Sequence, residues 1–253
     1  MEKIITINQE NINESPVPCF MKCENIGYQK KLEWLDSKFK NGLKIKQLYL
    51  EKENKANGFI EYVPSEFAER AIDCKNYLFI QCIWMYPNKF KSKSFASKLI
   101  KEIIDEAKSK NKLGVATVTS SGSFMASKDV FLKLGFKEIE TEGIYSLLSY
   151  TFNTKETNLP KFKDYKKQLE NYKDGFYLLY SKQCPWVGRS IEEISQIAKK
   201  NKIDLKIIEL KNVKEVQNAP SIYAVFNLIK DGKILADHYI SSRRFENILK
   251  SLK

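Results

Sequence analysis

The sequence predicts a mixed α/β (α+β) protein of two domains, and three observations support this. Strand and helix patterns alternate over the first 150 residues. A polar, lysine-rich stretch then covers residues 153–174. After it, the predicted elements follow the order β-α-β-α-β-β-α. We therefore predict a first domain over residues 1–155, a linker with helical spacing over 156–174, and a second domain over 175–253.

Hydrophobic spacing predicts the elements of the first domain. Strands are expected at residues 4–7, 43–50, 58–63, 77–85 and 113–119, with one or two more within 136–152. The strand at 77–85 is apolar on both faces, which indicates a central position in the sheet. Helices are expected at residues 30–40, at 96–107 with one apolar stripe, and at 126–134. Gly135 would end the last of these.

In the second domain, one helix boundary decides the chemistry of Cys184. Strands are expected at 176–180, 204–210, 222–229 and 233–240, helices at 190–199 and 243–252, and a short helical or loop segment at 213–218. Ser190 and Glu193 match a capping box, which favours a helix start at Ser190 and leaves Cys184 an ordinary cysteine. A start at Pro185, a favoured first helical residue, would instead place Cys184 beside amides that stabilise a thiolate.

The charge balance restricts the classes of partner. The formal net charge is +12, from 43 basic and 31 acidic residues. Because the surplus is spread as single lysines, we expect no nucleic-acid partner, whereas a polyanionic cofactor or an acidic substrate would suit this charge. The longest apolar run has about ten residues and a membrane span needs ~20, so we expect no membrane partner. The first residues do not match a signal peptide.

The five cysteines form an odd, sparse set, which indicates reduced thiols and a cytoplasmic protein. Cys19 and Cys23 could supply half a zinc site, but no second pair stands nearby and the only histidine is His238. We therefore expect no metal. Cys19, Cys23, Cys74 and Cys82 all lie in the first part of the chain, so we predict no resolving thiol close to Cys184. The oligomeric state stays open.

Residues 77–136 resemble the GNAT superfamily of N-acetyltransferases. The resemblance consists of a central strand, a basic turn, an amphipathic helix, a further strand, a short helix and then Leu134-Gly135-Phe136. The family's turn reads R/Q-x-x-G-x-G/A and wraps a pyrophosphate at a helix N-terminus. Here the turn is Lys89-Phe90-Lys91-Ser92-Lys93-Ser94-Phe95-Ala96, with serines where the family has glycines.

The whole chain is also similar to YoaP-like acetyltransferases, in which a GNAT domain precedes a small C-terminal domain. The residues that carry this similarity are Glu33-Trp34-Leu35 with Phe39, Phe59-Ile60-Glu61-Tyr62, Leu178-Leu179-Tyr180-Ser181 with Cys184-Pro185, and Gln217-Asn218-Ala219-Pro220-Ser221.

The resemblance implies transfer of an acetyl group from acetyl-CoA, as co-substrate, to an amine acceptor that the sequence does not identify. The cofactor-binding residues that it implies are Ile83, Trp84, Met85, Lys89, Lys91, Ser92, Lys93, Ser94, Phe95, Ala96, Ser97, Ser127 and Phe131. The family often has a tyrosine acid where Phe131 stands, and phenylalanine has no proton to give. Glu61 is the candidate general base by position, and its neighbour Tyr62 is a second candidate catalytic residue.

The second domain resembles a minimal thioredoxin fold of glutaredoxin type. Cys184-Pro185-Trp186 follows its first strand, and Pro220 precedes its third, where that fold has a cis-proline. The second cysteine of the glutaredoxin pattern is Val187 here. Cys184 and Pro220 are therefore candidates for either a redox or a structural role. Two alternatives to acetyl transfer stay open: a thiol-redox protein that uses Cys184, and an acyl-CoA-binding protein without transferase activity.

Overall fold

A computed structural model describes residues 2–12, 19, 21–50, 56–86, 95–153, 155 and 157–252. The chain divides into two compact units. The first comprises Met1–Pro18, Asp36–Ala68 and Asp73–Phe162, and the second comprises Cys19–Leu35, Glu69–Ile72 and Lys163–Lys253. Cys19–Leu35 and Glu69–Ile72 thus belong to the same unit as the C-terminal part of the chain. The predicted domain boundaries, drawn along the chain, stay a prediction.

Strands and helices follow one another along the chain. In order, they are β1 (Glu2–Ile7), α1 (Ile26–Phe39), β2 (Lys44–Leu50), β3 (Ala56–Pro64), β4 (Ile72–Asp73), β5 (Tyr77–Met85), α2 (Phe95–Ser109), β6 (Gly114–Ser120), α3 (Asp129–Leu132), β7 (Lys137–Glu142), β8 (Tyr145–Thr151), β9 (Lys161–Phe162), β10 (Phe176–Tyr180), α4 (Pro185–Lys200), β11 (Leu205–Glu209), α5 (Val213–Gln217), β12 (Phe226–Lys230), β13 (Lys233–Ala236) and α6 (Ser242–Ser251). Short 3₁₀ helices cover Ser65–Phe67 and Tyr165–Tyr172. None of the described helices is long and apolar enough to cross a membrane.

The first unit contains a seven-stranded sheet in the order β1-β2-β3-β5-β6-β8-β7. Its neighbouring strands are antiparallel except for β5 and β6, which are parallel. β5 therefore occupies the middle of the sheet, as its apolar sequence predicts. The apolar stripe of α2 packs on the sheet, and Leu99, Ile100 and Ile103 are fully buried there. The predicted amphipathic helix is confirmed.

The short helix after β6 is shorter than predicted. α3 covers Asp129–Leu132 rather than residues 126–134. Ser127 precedes the helix, is exposed, and donates from Oγ to Asp129 Oδ2 at 3.0 Å. Gly135 follows with a φ of +90°, a backbone conformation that glycine adopts at low cost. Ser127 and Phe131 therefore do not share a face of one helix.

The second unit contains a four-stranded sheet in the order β11-β10-β12-β13. β10 and β11 are parallel, whereas β12 is antiparallel to both β10 and β13. The strands predicted at 222–229 and 233–240 are shorter in the structure, because β12 begins at Phe226 and β13 ends at Ala236. The helical spacing of the linker corresponds to the 3₁₀ helix at Tyr165–Tyr172, which contains no buried residue.

The predicted start of α4 at Ser190 is wrong. The helix begins at Pro185, and Cys184 is its N-cap in an extended conformation. Ser190 lies inside the helix, buried, and donates from Oγ to the carbonyl of Ile240 at 2.6 Å. Glu193 accepts hydrogen bonds from Arg189 and from the backbone N–H of Ser242. The apparent capping box is thus explained by tertiary contacts and not by a helix terminus.

Candidate functional site

The candidate site in the first unit lies where β5 and β6 separate. Their parallel pairing runs from Tyr77 with Gly114 to Ile80 with Thr117 and ends there, within strands that the structure describes in full. Beyond that point β5 stays paired with β3 as far as Met85, which lies opposite Gly58. β6 stays paired with β8. The middle of the sheet therefore opens into a fork between two parallel strands.

A side chain marks the base of this fork. The hydroxyl of Thr117 donates to the carbonyl of Ile80 at 3.0 Å, at the last pair of the ladder. Beyond it, Ile83 and Met85 are buried and Trp84 is half-buried. These three predicted cofactor-binding residues therefore lie on the strand segment that has left β6. Peptide groups at the edge of a separated strand can pair with an extended ligand that carries amides.

The start of α2 is the second part of the candidate site. The helix has 15 residues and no acidic residue in its first turn, which suits an anion at its N-terminus. Phe95 is buried, and Ala96 and Ser97 are half-buried. The predicted turn residues Lys89, Lys91, Ser92, Lys93 and Ser94 lie outside the described residues.

The two candidate catalytic residues lie on opposite faces of β3. Tyr62 is buried in the core beneath α2, and its hydroxyl donates to Glu106 Oε2 at 2.5 Å. Burial, together with the nearby Glu106 carboxylate, raises the pKa of Tyr62 far above its ordinary value. The phenol therefore keeps its proton near neutral pH and links β3 to α2. A catalytic role for Tyr62 stays a prediction.

Glu106 is the centre of this link. It also forms ion pairs with Lys44 at 2.8 Å and with Lys110 at 2.7 Å. Burial alone would raise the pKa of Glu106, but the hydrogen bonds from Lys110, Lys44 and Tyr62 outweigh it and lower the pKa to about 2. Glu106 is therefore a carboxylate at neutral pH.

Glu61, the candidate base, is a buried acid. Only 1% of it is exposed, and it lies opposite Cys82 of β5 and Ile45 of β2. Glu61 is therefore not an ordinary solvated strand residue, because a buried carboxylate needs hydrogen bonds or opposite charges in place of the water it has lost. Its role as a base stays a prediction.

Phe131, one of the predicted cofactor-binding residues, is also buried, at 1% exposure. It packs edge-to-face on Phe136 with ring centroids 5.3 Å apart.

In the second unit, the loop between β10 and α4 is held by a network of buried side chains. Glu69 accepts from the indole N–H of Trp34 at 3.0 Å and from the hydroxyl of Ser181 at 2.5 Å. Arg70 donates to the side-chain carbonyl of Gln183 at 2.7 Å. These residues are all less than a tenth exposed. Sequence spacing gave no indication of this network, because its members come from three separate segments.

Cys184 follows this loop, and its environment differs from the predicted one. Cys184 is the N-cap of α4, and its side chain makes no capping hydrogen bond there. The Cys19 thiol has the largest influence on the pKa of Cys184. Together with the backbone amides of Val187 and Trp186 and the positive charge of Lys31, it outweighs burial and lowers the pKa to about 7. The prediction of an ordinary thiol depended on a helix start at Ser190 and is wrong, because α4 begins at Pro185 and the pKa of Cys184 is lowered. Pro220 is buried just before β12.

Comparisons with known proteins bear on the whole chain. No protein-family model matches it. The chain is 25% identical over 253 residues to the "Uncharacterized N-acetyltransferase YoaP" of Bacillus subtilis (strain 168), with 98% of each chain covered.

Two solved structures are similar to part of the chain. One is the ribosomal-protein-S18-alanine N-acetyltransferase of Escherichia coli, at 14% identity and a TM-score of 0.42, covering 63% of this chain and 99% of that chain. The other is the PaiA N-acetyltransferase of Thermoplasma acidophilum in complex with coenzyme A, at 13% identity and a TM-score of 0.39, covering 60% and 99%.

Proposed function

We propose that this protein is an N-acetyltransferase of the GNAT type that moves an acetyl group from acetyl-CoA to a small-molecule or peptide amine. The observation that carries the proposal is the fork between β5 and β6, followed in the chain by the start of α2. The relative that spans 98% of the chain is named as an N-acetyltransferase, which supports the same activity here.

The residues of the fork suit a long, amide-containing anionic ligand. Acetyl-CoA would supply the reactive thioester. The peptide groups near Ile83, Trp84 and Met85 would bind the pantetheine amides and the thioester carbonyl. The lysines and serines of residues 89–94, with the start of α2 at Phe95, would bind the pyrophosphate. The absence of acidic side chains from the first turn of α2 fits this assignment. Ser127, whose hydroxyl is exposed, would contact the outer part of the ligand.

Glu61 is the proposed general base. It lies on β3, opposite the segment of β5 that forms one side of the fork. In this role its carboxylate takes the proton that the amine loses as it attacks the carbonyl. Phe131 has no proton to donate, so the leaving thiolate is not protonated from that position.

The second domain is proposed to be thioredoxin-like. The strand order β11-β10-β12-β13, the position of Cys184 at the start of α4 and the position of Pro220 before β12 support this proposal. We also propose that the chain divides into a first domain over residues 1–155, a linker over 156–174 and a second domain over 175–253. A cytoplasmic location is part of the same proposal. Reduced cysteines, none of them joined in a disulfide, support the location.

Calorimetric titration with acetyl-CoA tests the binding site. We expect the double variant Lys91→Glu with Lys93→Glu to bind acetyl-CoA more weakly, and the loss to be larger at low salt because the contacts are charged. The matched control is Lys211→Glu with Lys214→Glu, which makes the same change of net charge at exposed lysines of the second unit. Equal affinity in both double variants would refute the assignment of the site.

Release of free CoA thiol in the presence of a panel of amines tests the reaction. We expect Glu61→Gln to lower turnover by about 10²–10⁴-fold while acetyl-CoA binding is retained, because only the proton acceptor is removed. Unchanged turnover would show that another group is the base. If the wild-type protein binds acetyl-CoA but transfers acetyl to no amine, the proposed function is wrong and the acyl-CoA-binding alternative is favoured.

A further inference from the structure

A cavity lies at the edge of the four-stranded sheet in the second unit. It has a volume of about 580 Å³ and is lined by residues 234–241 and Arg244. β13 is the last strand in the order β11-β10-β12-β13, so among the described strands it pairs with β12 alone. The segment that connects β13 to α6 forms the rest of the wall. Ligand cavities have volumes of ~300–1,000 Å³, so this cavity can hold a small organic molecule.

Part of the wall is apolar. Ile234, Leu235 and Ala236 belong to β13 and are half-buried, and Ile240 is buried just before α6. The half-buried side chains keep apolar surface that a ligand can remove from water. The wall therefore favours a ligand with an apolar body.

An acid and a histidine line the cavity side by side. Asp237 Oδ1 lies 3.1 Å from His238 Nδ1. An ionised carboxylate can only accept hydrogen bonds, so Nδ1 carries the proton in this contact. Asp237 is the only acidic residue in the lining, and its negative charge is directed at the imidazole.

Arg244 is the second charged group of the lining. It is exposed, and no described residue forms an ion pair with its guanidinium. Two of the first amides of α6 are already in use: Arg244 N–H donates to Ser241 Oγ, and Ser242 N–H donates to Glu193 Oε2, both at 3.3 Å. We therefore expect the guanidinium, and not the helix terminus, to bind an anion here.

We propose that this cavity binds a small carboxylate with one negative charge and an apolar body. Arg244 binds the carboxylate, because two N–H groups of a guanidinium match its two oxygens. The apolar body lies on Ile234, Leu235 and Ala236. One unpaired guanidinium matches one negative charge, whereas a phosphate ester carries about two. The site is independent of acetyl transfer, and its test does not require transferase activity.

NMR of a single side chain tests the site in the untagged full-length protein. His238 is the only histidine of the chain, so ¹³C-labelled histidine gives one imidazole Cε1–H signal. The protein is titrated with 3-phenylpropionate at constant pH and ionic strength, and we expect a saturable shift of this signal. The absence of a saturable shift would overturn the proposal.

The uncharged 3-phenylpropionamide tests whether the carboxylate is recognised. It has the same apolar body, but it cannot form charge-assisted hydrogen bonds with Arg244. We expect it to bind about 10–100-fold more weakly than the acid. Equal affinity for the acid and the amide would refute a site for carboxylates.

Two neighbouring arginines provide a matched pair of variants. In Arg244→Gln we expect the affinity for 3-phenylpropionate to fall about 10–100-fold. Arg243→Gln makes the same change of net charge at an exposed residue outside the lining, and should change the affinity by less than about threefold because salt screens this charge. The position of the His238 signal before ligand is added shows whether the cavity is intact in each variant. Equal losses in both variants would refute the role of Arg244.

Inorganic phosphate tests the class of ligand. It supplies oxygens for Arg244 but has no apolar body to cover the strand wall. We therefore expect phosphate to shift the His238 signal only at higher concentrations than 3-phenylpropionate does. An affinity for phosphate that equals or exceeds that for the carboxylate would refute the assigned class.

Discussion

Two strand-to-helix junctions of this protein, the one after β5 and the one after β10, differ in what defines them. After β5, the junction is shaped by backbone: a parallel ladder that ends at Ile80, followed by the N-terminus of α2. After β10, it is shaped by side chains, since buried Glu69 and Arg70 hold the loop that leads to Cys184. A site made of peptide groups tolerates changes of side chain, such as serine for glycine in the predicted turn. A site made of buried polar groups does not.

The largest expected effect is at the side-chain junction. Glu69→Ala leaves the indole N–H of Trp34 and the hydroxyl of Ser181 without their buried acceptor. We expect a loss of about 2–6 kcal/mol in the free energy of unfolding, since each stranded donor costs ~1–3 kcal/mol. Urea denaturation measures it. Glu170→Gln, which removes an exposed ion pair with Lys173, is the control and should change stability by less than ~1 kcal/mol.

A loss no larger than that of Glu170→Gln would contradict the role given to Glu69. It would also remove the contrast between the junctions, because both would then be defined mainly by backbone.

The next effect tests where α4 begins. Aspartate is as good an N-cap as serine, so Ser190→Asp would be nearly neutral if the helix began at Ser190. In the structure Ser190 is 3% exposed and lies against the carbonyl of Ile240. We therefore expect Ser190→Asp to cost about 3 kcal/mol, because it buries a carboxylate beside a carbonyl oxygen. The same denaturation measurement applies.

Ser190→Ala is the matched variant for this position. It removes one hydrogen bond and should cost about 1 kcal/mol. Equal stability of Ser190→Asp and wild type would restore the helix start at Ser190 and return Cys184 to an ordinary environment.

The sequence correctly predicted the elements that depend on local hydrophobic spacing. The stripe of α2 and the apolar strand β5 are periodic over many residues, and both are confirmed. Ser190 and Glu193 led to a wrong prediction of the helix start. Residues that match a capping box can instead bind tertiary partners, as Ser190 binds the carbonyl of Ile240. The fork was not predictable, since it depends on where two strands stop pairing. The close packing of Gly27 against the backbone of Pro185 in α4 was not predictable either, because the sequence carries no periodic signal for it.

A smaller effect is expected beside the backbone junction. Tyr62→Phe removes the hydrogen bond to Glu106 and leaves the ring in place. Because the acceptor is ionised, the loss should be about 1.5–3 kcal/mol in the free energy of unfolding. Acetyl-CoA affinity should be unchanged if Tyr62 only links β3 to α2. A fall in turnover at full stability would instead support the predicted catalytic role of Tyr62.

The smallest expected effect is on the pH dependence of stability, and it tests the link between Glu106 and Tyr62 beside the backbone junction. The folded-state pKa of Glu106 is lowered from 4.5 to about 2, so its contribution is present above the unfolded value and is lost as the pH falls from about 4.5 to about 2. Glu106→Gln should therefore flatten the acid limb of the stability curve. Glu138 provides the control, because hydrogen bonds from Lys128, Thr141 and Ser146 also lower its pKa to about 2, but its side chain is 30% exposed, against 15% for Glu106. Salt screens exposed charges most, so added salt should reduce the effect of Glu138→Gln and leave that of Glu106→Gln. Equal salt sensitivity of the two variants would contradict the burial of the link between Glu106 and Tyr62.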